Sequence, residues 1–144
     1  MLERWRTKRK QDNRATSNTS TTGAHIEQQT EHWLTQQGLS SLHRNYRCRE
    51  GEIDLIMRDA EHLVFVEVRY RKRHQYGDGL ESVDWRKQQK LQKAAAHYLL
   101  RYPQYNNYPC RFDVVAVCPQ NKAQQATNNN AKLHWSWIKN AFSG

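Results

Sequence analysis

Gly51-Glu52-Ile53-Asp54-Leu55-Ile56-Met57-Arg58-Asp59-Ala60-Glu61-His62-Leu63-Val64-Phe65-Val66-Glu67-Val68-Arg69-Tyr70 is the stretch on which the reading of this chain turns. Its residues are mostly β-branched, aromatic or aliphatic, the types that fit a pleated, half-buried surface. Glu52–Met57 reads as one strand and His62–Tyr70 as the next, with Asp59-Ala60-Glu61 as the turn between them. Strand side chains alternate between faces. Glu52 and Asp54 are therefore expected on one face, with Ile53 and Leu55 on the other. In the second strand Val64, Val66 and Val68 share a face, and Phe65, Glu67 and Arg69 share the opposite one. Glu67 lies inside an apolar run and is expected to be at least partly buried. A buried lone carboxylate needs a cation, a strong hydrogen-bond partner or a raised pKa.

Working outward, Ile26, Thr30, Trp33 and Leu34 fall on one helical face, and Gly38 supplies a stop, so a helix is expected over about 24–37. Leu42–Cys48 reads as a first strand. Beyond Tyr70 comes a basic loop, Arg71-Lys72-Arg73-His74, which ends at Gly77-Asp78-Gly79. A second helix is expected from an N-cap at Ser82 to about Tyr102, before Pro103. Its buried stripe is Leu91, Ala94, Ala95, Tyr98, Leu99 and Tyr102. Phe112–Cys118 is another strand, Gln120–Asn130 a polar surface loop, and Leu133–Trp137 an edge strand before a short last turn over Ile138–Phe142. The order α-β-β-β-α-β-β predicts a layered α/β sandwich on a mixed sheet.

Composition narrows the partner. The 144 residues fit one domain and carry a formal charge of +9. Residues 1–22 hold six bases and two acids, and end in the polar run Thr16–Thr22. Nothing there offsets the entropy of ordering the chain, so 1–22 reads as a disordered basic tail and 23–144 as the folded domain. The tail is either simply solvated or a non-specific phosphate-binding arm. No apolar run approaches the ~20 residues of a membrane span. Met1 is followed by charges without an apolar stretch, so no secretory signal and no membrane partner are expected. Three cysteines without a close pair argue against a disulfide scaffold and a CxxC zinc site. A cytoplasmic protein this basic attracts polyanions, nucleic acid foremost.

The chemistry rests on the two strand acids. Asp54 and Glu67 lie on strands joined by a tight connection, so their carboxylates can approach each other. Like charges at close range disfavour joint ionisation unless a cation lies between them. Mg²⁺ accepts one or two carboxylates together with water and substrate phosphate, which suits phosphodiester hydrolysis. The alternative is a structural ion pair, for instance with Arg69.

Gly51-Glu52-Ile53-Asp54-Leu55-Ile56, Val64-Phe65-Val66-Glu67-Val68-Arg69 and Cys110-Arg111-Phe112-Asp113-Val114-Val115-Ala116-Val117 together resemble the YraN family of bacterial proteins. That family in turn resembles the restriction-endonuclease-like, PD-(D/E)xK nucleases, especially archaeal Holliday junction resolvases. The likeness covers about residues 23–142. It implies a restriction-endonuclease-like three-layer sandwich, α/β with a mixed central sheet flanked by helices. It also implies a site of Asp54, Glu67 and Glu27 holding Mg²⁺ or Mn²⁺, in a nuclease acting on DNA in processing or repair. By analogy with resolvases, which make paired cuts, a homodimer is expected.

The chain departs from the nuclease pattern at Arg69, where the pattern has lysine. Arginine does not give up its proton, so Arg69 is assigned to stabilising phosphate charge and not to activating water. Lys87 and Gln88 continue the buried stripe of the second helix towards its start. Lys87 either points into the site or snorkels along the helix edge. Arg86, Lys90, Lys93, His97 and Arg101 follow on one helical face. With Lys87, Arg71, Lys72 and Arg73 they either track a phosphate backbone or form a solvated face. Asp113 is expected to pair with Arg111 or a backbone donor, Glu52 to be a solvated strand-edge acid, and Trp135 and Trp137 to serve core or interface. A non-catalytic nucleic-acid-binding protein that keeps the nuclease fold is the competing function.

Overall fold

The computed structural model describes residues 18–71, 83–120 and 133–143, with side chains from Gly23 onward. The tail to residue 17, Lys72, Arg73, the Gly77–Gly79 turn, Ser82 and most of the Gln120–Asn130 loop lie outside those residues. The element order is α1 (Asn18–Gln36), β1 (Ser40–Cys48), β2 (Gly51–Arg58), β3 (Leu63–Tyr70), α2 (Trp85–Arg101), a 3₁₀ turn (Pro103–Tyr105), β4 (Cys110–Pro119) and β5 (Leu133–Phe142).

The five strands form one mixed sheet in the order β1-β2-β3-β4-β5. β3 and β4 run parallel, and the other neighbours run antiparallel. The parallel pair needs a crossover, which α2 supplies. Each face of the sheet carries its own core. On one, Ile53, Ile56, Leu63, Phe65 and Val114 pack with Leu91, Ala94, Ala95 and Tyr98 of α2. On the other, Leu55, Met57, Val64, Val66, Val115 and Val117 pack with Ile26 and Leu34 of α1. The result is helix, sheet, helix, as the order of elements predicts.

Local chemistry sets the element ends. After α1, Gly38 adopts φ +103°, a conformation that carries little steric penalty only without a Cβ. Leu39 N–H then reaches Leu34 O at 3.2 Å and Gly38 N–H reaches Thr35 O at 3.1 Å, a Schellman closure that also buries Leu39 against the α1 core. At the β2–β3 turn, Asp59 Oδ1 accepts from the backbone N–H groups of Glu61 (2.8 Å) and His62 (2.5 Å). A Cβ on Gly51 would sit 3.3 Å from Lys90 O, so the β1–β2 hairpin packs closely on α2 and a side chain there would need the helix to give by a few tenths of an ångström.

Three boundaries differ from expectation. Helix α1 starts at Asn18, six residues before 24, and so takes in the end of the segment read as tail. Helix α2 is capped by Asp84, whose side chain accepts from Lys87 N–H at 2.8 Å, and not by Ser82. The last turn expected over Ile138–Phe142 is instead the second half of β5. It is held there because Asp113 accepts from Asn140 N–H (2.9 Å) and Trp137 Nε1 (2.9 Å).

Candidate functional site

The β2–β3 ladder pairs Arg58 with Leu63 and continues to Leu55 with Val66, where it stops. The next pair in register is Asp54 and Glu67, where the backbones part. Side-chain alternation also breaks here. Ile53 packs towards α2 and Leu55 towards α1, so the expectation that they share a face is corrected. Alternation in β3 holds as read, with Val64, Val66 and Val68 towards α1 and Phe65 towards α2. Where the ladder ends, Asp54 replaces it. Its Oδ2 accepts from Val68 N–H at 2.9 Å, so a carboxylate holds the donor that a strand carbonyl would otherwise satisfy.

Glu67 is 7% exposed. Its Oε1 lies 3.1 Å from Lys87 Nζ, in the first turn of α2. Lys87 therefore reaches Glu67 from the start of α2 while its side chain stays 45% exposed. Burial, and then the charge of Glu67, push the Asp54 carboxyl up to about 8, against the pull of Val68 N–H. Glu27, half-buried on α1, is also raised. Burial is the main cause, with Glu52 and Glu67 adding to it, while hydrogen bonds from Asn45 and Asp54 oppose it. A protonated Asp54 can donate to Glu27, with which it forms a side-chain hydrogen bond.

Asn45 is the residue that strand reading overlooked. It lies on β1 opposite Asp54, between the Arg44–Leu55 and Tyr46–Ile53 pairs, at φ +51°. Asparagine is one of the few residues with a side chain that visits this left-handed region routinely. An Asn flanked by strand-forming residues was the available signal.

The other candidates are placed as follows. Arg69 is half-buried two residues beyond Glu67 on β3. Glu52 is exposed and 3.6 Å from Arg47. Arg71 is exposed just after β3, and Arg86, Lys90 and Lys93 are exposed on α2. His97 is drawn out of that stripe by a 2.6 Å hydrogen bond with Tyr46 Oη. Asp113, 1% exposed, pairs with Arg111 Nε at 3.1 Å, as expected. Trp135 stacks on Trp33 at 5.6 Å and donates to Thr30 Oγ1, which makes it a packing residue.

Asp54 and Glu67 come together where the β2–β3 ladder stops inside a mixed α/β sheet, and Glu67 there meets Lys87. That arrangement defines the class, an α/β domain with a cluster of charged side chains set into its sheet. The chain belongs to the family described as Uncharacterised protein family UPF0102, the YraN group, whose model matches residues 26–117. That span contains Glu27, Asn45, Asp54, Glu67 and Lys87. A UPF0102 protein of Alcanivorax borkumensis is 50% identical over 84% of this chain and 90% of its own. Relatives from Pseudomonas putida strain GB-1 and Legionella pneumophila strain Philadelphia 1 are 45% and 42% identical. Each aligns over 83% of this chain, and over 91% and 92% of its own length respectively. Among the described residues no helix is long and apolar enough to cross a membrane.

Proposed function

We propose that this protein is a metal-dependent nuclease of restriction-endonuclease-like fold that hydrolyses DNA phosphodiester bonds in the cytoplasm, in DNA processing or repair. The observation that carries this reading is the approach of the buried Asp54 and Glu67 carboxylates where the β2–β3 ladder stops. Two acids brought together in a buried place are expensive, and a divalent cation would offset that expense.

The donor set fits Mg²⁺ or Mn²⁺. Among the described residues no three His, Cys, Asp or Glu side chains close into a ready-made cage. Two carboxylates are nonetheless the usual protein share of a Mg²⁺ site that keeps several waters. Asp54 and Glu67 would hold the ion, with Glu27 supporting Asp54 through their hydrogen bond. When bound, the metal lowers the pKa of water and offsets phosphate charge.

The chain's own groups do the rest. Val68 N–H fixes the orientation of the Asp54 carboxylate. Lys87 brings an ammonium to Glu67, in a chain that has Arg69 where the nuclease pattern has lysine. An ammonium can hold or release a proton, whereas the guanidinium of Arg69 contributes charge alone.

Calorimetric titration with Mg²⁺ and Mn²⁺, followed by cleavage assays on duplex, single-stranded, flapped and four-way DNA, tests the proposal. Saturable metal binding and cleavage, both lost in Glu67→Gln, are expected. Salt-sensitive DNA binding without metal uptake or cleavage would instead establish the non-catalytic reading, which Arg69 in the lysine position favours.

A further inference from the structure

A groove of about 660 Å³ with a mixed polar and apolar lining opens beside the acid site, between the first half of α1 and β1. It is lined by Ala24, His25, Glu27 and Gln28 of α1 and by Arg44, Asn45 and Arg47 of β1. Two of these residues, Glu27 and Asn45, belong to the site itself, so groove and acids are continuous. Among the described residues, none of the bases assigned to nucleic acid from sequence (Arg71, Arg86, Lys87, Lys90 and Lys93) lines it. The groove is on the α1 side of the sheet.

Both arginines sit beside an acid. Arg44 Nε is 3.1 Å from Glu31 Oε2, and Arg47 Nε is 3.6 Å from Glu52 Oε2. These exposed pairs hold the guanidinium groups only weakly. Both arginine side chains remain at least half exposed. The lining thus offers guanidinium and imidazole groups for phosphate, and amides for sugar or base edges. Its volume is that of a pocket for a small organic ligand, about 300–1,000 Å³, room for a few nucleotides of one strand.

We propose that the α1–β1 groove seats a single phosphodiester strand and leads it to Asp54 and Glu67. The inference rests on the nuclease reading, but its test does not. Binding is measured without metal, where no cleavage occurs, by fluorescence anisotropy of labelled oligo-dT and oligo-rU. The full chain is compared with Arg44→Gln/Arg47→Gln and with Lys93→Gln/Arg101→Gln on α2.

The groove pair is expected to weaken single-strand binding at least tenfold. It should also reduce the slope of log affinity against log salt by about 1.4, two phosphate contacts at ~0.7 each. The α2 pair is expected to change affinity less than threefold. Because removing Arg44 frees Glu31, Gln28→Glu serves as a second variant: it adds repulsion on the groove wall without breaking an ion pair, and is expected to weaken binding several-fold. A preference for dT or for rU tells DNA from RNA, and either supports the groove. Unchanged binding in Gln28→Glu and the arginine pair, or loss only in the α2 pair, overturns it. Metal binding and cleavage that persist while the groove variants bind normally would leave the nuclease reading standing and remove this one.

Discussion

The same sheet carries two groups of acids with opposite electrostatics. Asp59 and Asp113 share Arg111, whose Nη1 lies 2.6 Å from Asp59 Oδ2 and whose Nε lies 3.1 Å from Asp113 Oδ1. Burial raises the Asp59 pKa, but N–H donors of His62 and Glu61 and the Arg111 guanidinium outweigh it and hold it at about 2. Asp54 accepts from Val68 N–H and Glu67 faces the ammonium of a half-exposed lysine, and Asp54 stands at about 8. The first group ties β4 to β5 and to the β2–β3 turn. In the second, burial and the neighbouring acids raise Asp54 despite its backbone donor. Structural acids look like the first group, and acids kept for a ligand look like the second.

Four substitutions or conditions can break or sharpen that contrast. The largest effect is expected at Arg111. Replacing it with Met leaves the buried Asp113 carboxylate without its cation, at a loss of about 3–5 kcal/mol in urea-unfolding stability. A loss below 1 kcal/mol would remove the distinction.

Asp54→Asn should act in the opposite direction. The folded-state pKa of Asp54 is raised, so the folded protein keeps a proton that the unfolded chain releases. Stability therefore falls as pH rises from about 4 to about 8. The Asn variant escapes this penalty. It should be more stable than the parent by on the order of 2 kcal/mol at pH 9, with little difference at pH 4. Millimolar Mg²⁺ should raise the parent's melting temperature at pH 8 and leave the variant's unchanged.

At the acid end the sign reverses, because the Asp59 pKa is depressed. Its stabilisation is complete above about pH 4 and disappears as pH falls towards 2. A melting-temperature profile should therefore have a falling alkaline limb that Asp54→Asn flattens. Its acid limb should be flattened only by Asp59→Asn, which also lowers the plateau.

The smallest effect is expected for Lys87→Met. Its ammonium is 45% exposed, so the pair with Glu67 contributes about 1 kcal/mol at most in thermal melts. Cleavage, by contrast, should fall about 10²-fold or more. A stability loss as large as that of Arg111→Met would make Lys87 a structural residue.

Much of this was legible in the order of residues. Periodicity alone places β3, the buried stripe of α2 and the stop at Gly38. Glu67 declares itself because a carboxylate among valines is costly wherever the strand packs. Asp113 pairs with Arg111 because the two are near neighbours on one strand. Less legible were the ends of elements. The N-cap of α2 moved to Asp84 because Ser and Asp are both good caps, and only the packing of Val83 chooses between them. The second half of β5 was missed because Ile138–Phe142 has no clean alternation, and Asp113 on the neighbouring strand holds it in the sheet.

The sequence by itself determined that strands and helices alternate in this order, that two acids sit where a strand pair wants apolar residues, and that the chain is basic around them. Those properties depend on near neighbours and on the price of burying charge. Tertiary structure alone decided that β2 and β3 part at Asp54, that Asn45 faces it from β1, and that Lys87 meets Glu67 from twenty residues further along the chain. Such meetings depend on how a crossover helix packs on the sheet, a sum over many distant contacts that no local pattern encodes.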